Sequence, residues 1–351
     1  MQSNLPPRTT STPVPFGDLS VFSQSITHSN LLIYFQKSAI IVVQFEMYLE
    51  NEFIISRKEE LKMAKFIQFM TKESLYDGPF DSGSGWQAAG MGDVIVTENG
   101  KLIVIDGGTP ENAEEFLKLL SAQTSAQIPE IEYWIITHPH IDHYGVIQEL
   151  GNNADLSDRI KVKQFIYWFP EEFCGANGAP NALAVQTAKI QNICKTFGAE
   201  SHRPTRDEVV TVDDISIKFL FVPDDCSYLN RAGGNVNLCS LIFSVSGKSR
   251  RVLVTGDAYE RSMLITAWRY TEELKSDILQ MPHHALCDSH CVEFYRYVDP
   301  TTVLMPISKA GYRAMHSKLY DRDQGCIANL CLEAKAETVI KAYEGTAELF
   351  I

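Results

Sequence analysis

The sequence predicts an α/β fold in which two mixed β-sheets pack face to face with helices outside them. Three observations carry this. Short apolar, strand-like runs recur from about residue 63 to the end of the chain. Segments with helical spacing are interspersed among them. Each half presents strands first and helices later, which suits two sheets rather than one. The halves share no visible identity, so no internal repeat is inferred.

Met63 to Phe69 alternates like a first strand, and the working domain is expected to begin there. Asp93 to Thr97 and Lys101 to Ile105 flank Asn99-Gly100 and read as a hairpin. Thr109 is placed as an N-cap with Pro110 at the first helical position, and Phe116, Leu119 and Leu120 share a face of the following helix. A strand from Ile131 to Thr137 runs into a histidine cluster, and Lys161 to Phe169 gives another. Ile190, Ile193, Cys194 and Phe197 have helical spacing closed by Gly198. The second half reads as strands at Ile215 to Val222, Leu238 to Val245 and Arg251 to Thr255, then a helix carrying Leu264, Ala267 and Trp268. After a strand at Asp277 to Met281 come a helical stretch near Val292, a strand at Thr302 to Met305 and a helix from Ile327 to Ala334. Strands at Thr338 to Ala342 and Thr346 to Ile351 complete the pattern.

With 351 residues and 45% hydrophobic content, the chain can bury a substantial core in one large domain or two ordinary ones. Residues 1 to 24 are rich in Ser, Thr and Pro and are expected to be disordered, within an N-terminal extension spanning 1–62. The domain is assigned to 63–351. Asn30 to Leu49 is apolar but interrupted by Gln36, Lys37, Gln44 and Glu46. A spanning helix needs roughly 20 nearly uninterrupted apolar residues, so no membrane segment is assigned. Nor is an export signal, for want of a basic start and a small-residue cleavage site. A net charge of −13 disfavours general nucleic-acid binding. Eight cysteines without a Cys-x-x-Cys pair are expected to be reduced, mostly buried thiols in a cytoplasmic protein.

The chemistry is concentrated in Thr137-His138-Pro139-His140-Ile141-Asp142-His143. His138 and His140 can converge on one metal as the chain leaves a strand, while Asp142 and His143, on the next turn, point to a neighbouring site. The competing reading is a polar strand-to-helix loop in which Asp142 merely caps a helix. Leu253-Val254-Thr255-Gly256-Asp257 ends a strand in a carboxylate that could bridge two cations. Pro282-His283-His284-Ala285 then supplies adjacent histidines after another strand. Alone, the first is more often a turn and the second a surface or satisfied core pair. Their order after the cluster makes coincidence the weaker account.

The order His-x-His-x-Asp-His, Thr-Gly-Asp, Pro-His-His resembles the metallo-β-lactamase superfamily. Within it, the sequence is most similar to the branch of competence-type DNA-uptake hydrolase domains and phosphorylcholine esterases. Gly92-Asp93, Ile105-Asp106-Gly107-Gly108, Asn235-Val236-Asn237 and the tail from Pro306 support the resemblance, which covers about 63–351. It implies a four-layer αββα sandwich. It also implies His138 and His140 on a first metal, Asp142 and His143 on a second, and Asp257 as bridge. One of the paired histidines, preferably His283, completes the second site, and Asp106 supports the ligand loop. The family's third first-site histidine should lie near Phe221-Val222-Pro223, where none stands, and Ala285 replaces the glycine that usually follows the pair. A histidine near His316 faces the active site in the family. There Lys309, Arg313 and Lys318 could hold an anionic leaving group, the alternative being a solvated basic loop.

Nitrogen and carboxylate ligands favour zinc, with manganese or iron as lesser choices. Two ions are expected, one labile because Val222 cannot coordinate, unless Asp224 or Asp225 supplies a carboxylate. Such metals lower the pKa of bound water to about 7, giving hydroxide near neutral pH. Asp142 could accept a proton from that water. The expected activity is hydrolysis of a small-molecule anionic substrate, a phosphoester or related anionic ester, the substrate class resting on the branch. The alternatives are a β-lactam or thioester hydrolase of the same fold, or a noncatalytic metal-binding scaffold with a decayed site. His202 and His290 are expected to be surface or capping residues, His28 falls in the extension, and Cys287 and Cys291 are read as buried thiols rather than ligands.

Overall fold

Strands whose every residue is apolar must be covered on both faces, and this dictates the layering. The protein is described by a computed structural model covering residues 63–79, 89–170, 182–223, 236–286, 291–317 and 324–351. These residues belong to one compact unit, 61–351. The expectations for the N-terminal extension and its apolar stretch, and for His28, Asp224, Asp225, His290 and Lys318, lie outside the described residues.

The first sheet has seven strands in the order β14-β1-β2-β3-β4-β5-β6. They are β1 (Lys65–Gln68), β2 (Gly92–Val96), β3 (Leu102–Asp106), β4 (Glu130–Ile136), β5 (Lys161–Tyr167), β6 (Glu200–His202) and β14 (Ala347–Phe350). The second has the order β13-β12-β11-β10-β9-β8-β7. Its members are β7 (Val209–Val212), β8 (Ile215–Phe221), β9 (Ile242–Ser246), β10 (Arg251–Val254), β11 (Ile278–Gln280), β12 (Thr302–Met305) and β13 (Thr338–Lys341). Both sheets are mixed: β2 pairs antiparallel with β3 and β3 parallel with β4, while β9 pairs antiparallel with β10 and β10 parallel with β11.

Side-chain alternation sorts each strand into two cores. Ile103, Ile105 and Ile135 join Phe219, Phe243, Val252 and Val254 between the sheets. Leu102, Val104, Trp134 and Ile136 point the other way, onto Phe116 and Leu120 of α1 (Ala113–Ala122), Val146 and Ile147 of α2 (Ile141–Asn152) and Ile190 of a later helix, Ala182–Phe197. The second sheet is covered by helices at Glu260–Tyr270, Val292–Val298 and Gln324–Lys335. The αββα sandwich predicted from the sequence is the observed fold.

Several local expectations need correction. Pro110–Asn112 is a 3-10 turn with Thr109 at its N-cap and Pro110 at its start, as expected, but the Thr109 side chain makes no cap bond; its hydroxyl donates instead to Glu73 Oε1 at 2.7 Å. The strand expected from Leu238 begins at Ile242, after a 3-10 turn at Val236–Cys239. Trp268 lies on its helix but is 69% exposed. The basic segment around His316 is helical, Lys309–His316, with Ser308 capping it through Gly311 N. The short strands β6 and β7, only three and four residues long, were not foreseen. Cys194, Cys239 and Cys291 are buried free thiols and Cys331 is an exposed one. Among the described residues, no helix is long and apolar enough to cross a membrane.

Candidate metal centre

The cluster forms because β4 ends at Ile136 and the chain turns at once into α2, with His140 at the extended N-cap position (φ −89, ψ 145). His140 O accepts from the backbone of His143 and Tyr144, which fixes the first turn. Asp142 sits in that turn, where the helix dipole favours a carboxylate. The Asp106-Gly107-Gly108 loop packs against it: Met91 N donates to Asp142 O at 2.9 Å and Val146 N to Gly108 O at 3.1 Å. A Cβ on Gly145 would meet Pro110 Cδ at 2.5 Å and Thr109 C at 2.8 Å, so this close approach requires glycine.

Asp106, fully buried, ties the loop together. Its Oδ1 accepts from Thr137 N at 2.8 Å, and its Oδ2 from Thr137 Oγ1 at 2.7 Å and His143 Nδ1 at 2.8 Å. Thr137 Oγ1 spends its proton there, so towards His138 Nδ1, 3.2 Å away, it can only accept. His284 Nδ1 lies 3.0 Å from Pro306 O and must donate to it. In their neutral forms all three histidines therefore carry the proton on Nδ1, and the Nε2 lone pair is turned to the centre.

The opposite wall comes from the second sheet. After β10, Gly256 adopts φ +51, and a Cβ there would lie 2.8 Å from Thr137 Cβ. Asp257 N donates to Ser240 Oγ at 3.1 Å. Gln280 Oε1 accepts from Thr255 N and Gly256 N, each at 3.2 Å, while its Nε2 donates to Asp93 Oδ2 of the first sheet at 2.6 Å. His283, His284 and Ala285 follow in a left-handed turn, with φ of 47°, 54° and 59°.

The result is two groups around one carboxylate. The donor atoms of Asp142, His143, Asp257 and His284 lie within 4.8 Å of one another, as do those of His138, His140 and Asp257. Asp257 Oδ1 faces His143 Nε2 at 3.1 Å and His284 Nε2 at 3.6 Å. Its Oδ2 faces His138 Nε2 at 3.5 Å. His284 Nε2 is 3.2 Å from Asp142 Oδ2. The sequence reading preferred His283 for the second group, but the geometry puts His284 there. The left-handed turn swings His283 towards Oδ2, at 3.7 Å, and its Nε2 lies 3.1 Å from Asn237 Nδ2.

Whether these residues suit a metal is tested by their unmet valences. His138 Nε2, His143 Nε2, His284 Nε2 and Asp257 Oδ1 are buried without a hydrogen-bond partner. Leaving a buried polar group unmet costs about 1–3 kcal/mol, and a cation among them would satisfy all four. Ligands about 2.0–2.1 Å from a tetrahedral zinc lie roughly 3.3 Å apart, close to the 3.1–3.6 Å spacings around Asp257. The donor set and its spacing fit a divalent ion.

Titration behaviour follows the same crowding. Burial, reinforced by the neighbouring His143, holds His138 well below the ordinary histidine range. His143 is equally buried, but Asp257 and Asp106 outweigh desolvation and hold it well above. Asp257 is driven well below the ordinary carboxylate value because His143, His284 and His283 overcome its burial. Burial, with Asp106 nearby, pushes Asp93 well above.

Other nominated residues have their partners outside the two donor groups. His316 is paired with Glu333 Oε2 at 2.9 Å and packs on Tyr312, with ring centroids 4.5 Å apart. Lys309 and Arg313 both turn to Asp77. His202 pairs with Glu208 at 2.5 Å. Val222, at the expected position of the absent histidine, is buried. Ser240 and Gln280 were missed by sequence reasoning, since neither has a ligand's chemistry and only the fold brings them to Asp257.

A search of curated protein sequences finds no match. Similar solved structures include the metallo-beta-lactamase fold protein YhfI from Bacillus subtilis, at 12% identity over 82% of this chain and 100% of that one, with a TM-score of 0.46. Zn(2+)-bound PqqB from Methylobacterium extorquens is 8% identical over 82% of this chain and 100% of its own, with a TM-score of 0.48. CmlA, a diiron beta-hydroxylase from Streptomyces venezuelae, is 10% identical over 82% of this chain and 54% of its own, with a TM-score of 0.45. The Metallo-beta-lactamase superfamily model matches residues 93–290, a span that contains both donor groups, and the chain belongs to that superfamily and carries its hydrolase fold.

Proposed function

We propose that residues 63–351 form a metal-dependent hydrolase acting on a phosphoester or a related anionic ester. The observation that carries the metal reading is the convergence of His138 Nε2, His143 Nε2, His284 Nε2 and Asp257 Oδ1, buried and without hydrogen bonds, around one centre. The substrate class is supported by the likeness of the motif series to the branch named above. It is also compatible with a net charge of −13 only if the centre itself attracts the anion.

Asp142, His143, Asp257 and His284 would hold one divalent ion, zinc being favoured by the nitrogen-rich set. His138, His140 and Asp257 would hold the other. When bound, such a pair supplies an activated water near neutral pH and positive charge for the attacked ester oxygen. The chain's own residues do the rest. Asp106, through Thr137 and His143, fixes the imidazoles with their lone pairs inward. Asp257 keeps the two groups at a set separation with one oxygen on each. Asp142, whose carboxylate is held below its ordinary pKa by His284 and His143 against the effect of burial, is placed to take a proton from the water. His316 is left out of the reacting groups because Glu333 engages its Nε2.

The four-donor group should retain its ion more tightly than the three-donor group, where Val222 stands in place of a ligand. Stepwise chelation, with metal content and activity followed together, tests this. Turnover is measured on bis-p-nitrophenyl phosphate, phosphorylcholine esters, a thioester and a β-lactam. Failure to bind any divalent ion would overturn the reading, and turnover of the thioester or β-lactam alone would overturn the substrate class.

A further inference from the structure

His283, His284 and Ala285 are three consecutive non-glycine residues at positive φ, 47°, 54° and 59°. In this region the Cβ of an L-residue crowds the following carbonyl oxygen, so single residues visit it rarely and runs hardly at all. Such a turn persists only where its surroundings hold it. One hold is between backbone groups: Leu286 N donates to His283 O at 2.9 Å, and His283 N to Gly256 O at 3.0 Å. The other comes from the C-terminal helix Gln324–Lys335, outside the segment 93–290 matched to the superfamily.

Asn329 on that helix is fully buried. Its Nδ2 donates to Ala285 O at 3.0 Å and to Leu286 O at 3.1 Å. Its Oδ1 accepts from Tyr295 OH at 2.9 Å, a buried hydroxyl on the helix Val292–Val298. The two carbonyls can only accept, so the amide orientation is fixed, and every strong valence of the Asn329 side chain but one lone pair is engaged. A buried carboxamide that spends both donors on the carbonyls of one strained turn acts as a clamp. His284, the residue carried by that turn, has its Nδ1 held by Pro306 O and its Nε2 aimed at Asp142 and Asp257.

We infer that Asn329, oriented by Tyr295, is a positioning residue that holds the left-handed His283-His284-Ala285 turn and so sets where His284 presents its lone pair. The inference rests on the metal reading proposed above. Its consequence is that the strength of metal binding at the Asp142, His143, Asp257 and His284 group is tuned from the C-terminal helix, by a residue that touches no metal.

The test compares wild type with Asn329→Leu, Tyr295→Phe and the double variant Asn329→Leu/Ala285→Gly. Hydrogen exchange of the Leu286 amide is read in the metal-free chain, and Zn2+ affinity by competition with a chromophoric chelator. Asn329→Leu should expose the Leu286 amide to faster exchange. It should also weaken Zn2+ by about tenfold to a hundredfold, the usual effect of losing a group behind a ligand. Glycine at 285 removes the Cβ that makes the turn costly, so the double variant should recover most of the affinity. A merely structural role for Asn329 would not be rescued there. Should Asn329→Leu fail to fold, Tyr295→Phe decides, with the same direction at smaller size. Unchanged exchange and affinity in the folded variant, or a double variant no better than Asn329→Leu, overturns the inference alone. A wild type that binds no Zn2+ overturns the proposed function and this inference together.

Discussion

Replacing Asp106 by Asn changes one atom in a fully packed carboxylate, and the structure fixes what must follow. Asp106 accepts three hydrogen bonds: one on Oδ1 from Thr137 N, and two on Oδ2 from Thr137 Oγ1 and His143 Nδ1. An asparagine has one acceptor oxygen and must point its NH2 at one of these groups. With NH2 at the Oδ1 position it faces the Thr137 amide, and a buried donor is left unmet. With NH2 at the Oδ2 position it faces His143 Nδ1, which must then give up its proton and carry one on Nε2. That proton would fill the 3.1 Å gap to Asp257 Oδ1, where a metal would sit. The first arrangement costs about 1–3 kcal/mol of stability. The second costs metal affinity, roughly tenfold to a hundredfold for loss of a supporting group, or about 1.4–2.7 kcal/mol. Each orientation carries one of these penalties, so at least one of the two readouts should shift. The assay pairs urea unfolding of the metal-free Asp106→Asn chain with Zn2+ competition titration. Wild-type values in both would refute the assignment of Asp106 as the residue that sets the His143 tautomer.

Three further outcomes are expected. His284→Ala should remove one equivalent of bound Zn2+, whereas His283→Ala should leave the Asp142, His143 and Asp257 group loaded, as read by metal analysis after gel filtration; equal losses would contradict the grouping. Asp93 has its pKa raised by burial, so in the metal-free chain the folded state binds a proton that the unfolded state releases, and stability falls as pH rises from the unfolded value of 3.8 through the folded one. Asp93→Asn should therefore flatten that pH dependence and be the more stable chain at pH 8, measured by Tm across pH 5 to 8; a steeper fall than wild type would refute this. Gly145→Ala forces a Cβ to within 2.5 Å of Pro110 Cδ and 2.7 Å of Pro110 N, so it should cost about 1–3 kcal/mol in urea unfolding, and a neutral effect would show that the Thr109-Pro110 segment yields freely.

The layering was legible because it follows from local pattern. Runs such as Leu102 to Ile105 are apolar at every position, and only a strand covered on both faces can use them. The first donor cluster was legible for a similar reason, since its four side chains leave the chain within one strand-to-helix turn. Choosing between His283 and His284 was not possible from sequence. Adjacent residues normally diverge, and which one faces Asp142 depends on the left-handed backbone at 283–285, which no local signal announces in a segment without glycine. Ser240 and Gln280 were invisible because their roles exist only across the fold: Gln280 reaches Asp93 from 187 positions away. His316 was nominated by chemistry and neighbours, and the pairing of its Nε2 with Glu333 could not be read from the sequence.

Neither sheet holds a complete set of donors. His138, His140, Asp142 and His143 follow β4 of the first, while Asp257, His283 and His284 follow β10 and β11 of the second. What brings them together is polar and lies directly beneath the centre: Asp93 to Gln280 across the sheets, Gln280 to the amides of Thr255 and Gly256, and Leu241 N to Thr137 O at 3.0 Å. Much of the remaining contact between the sheets is apolar and has no directional preference, so these bonds help to fix the register of one half on the other at the site. An ion held by His143 and Asp257 together would be a cross-link between the sheets. It binds only the assembled fold, so at a hundred times its Kd it would add about 2.7 kcal/mol to stability. The same geometry that would serve an ion's chemistry would make that ion a fastening of the two halves, and the unmet valences at Asp257 mark where such a fastening would be made.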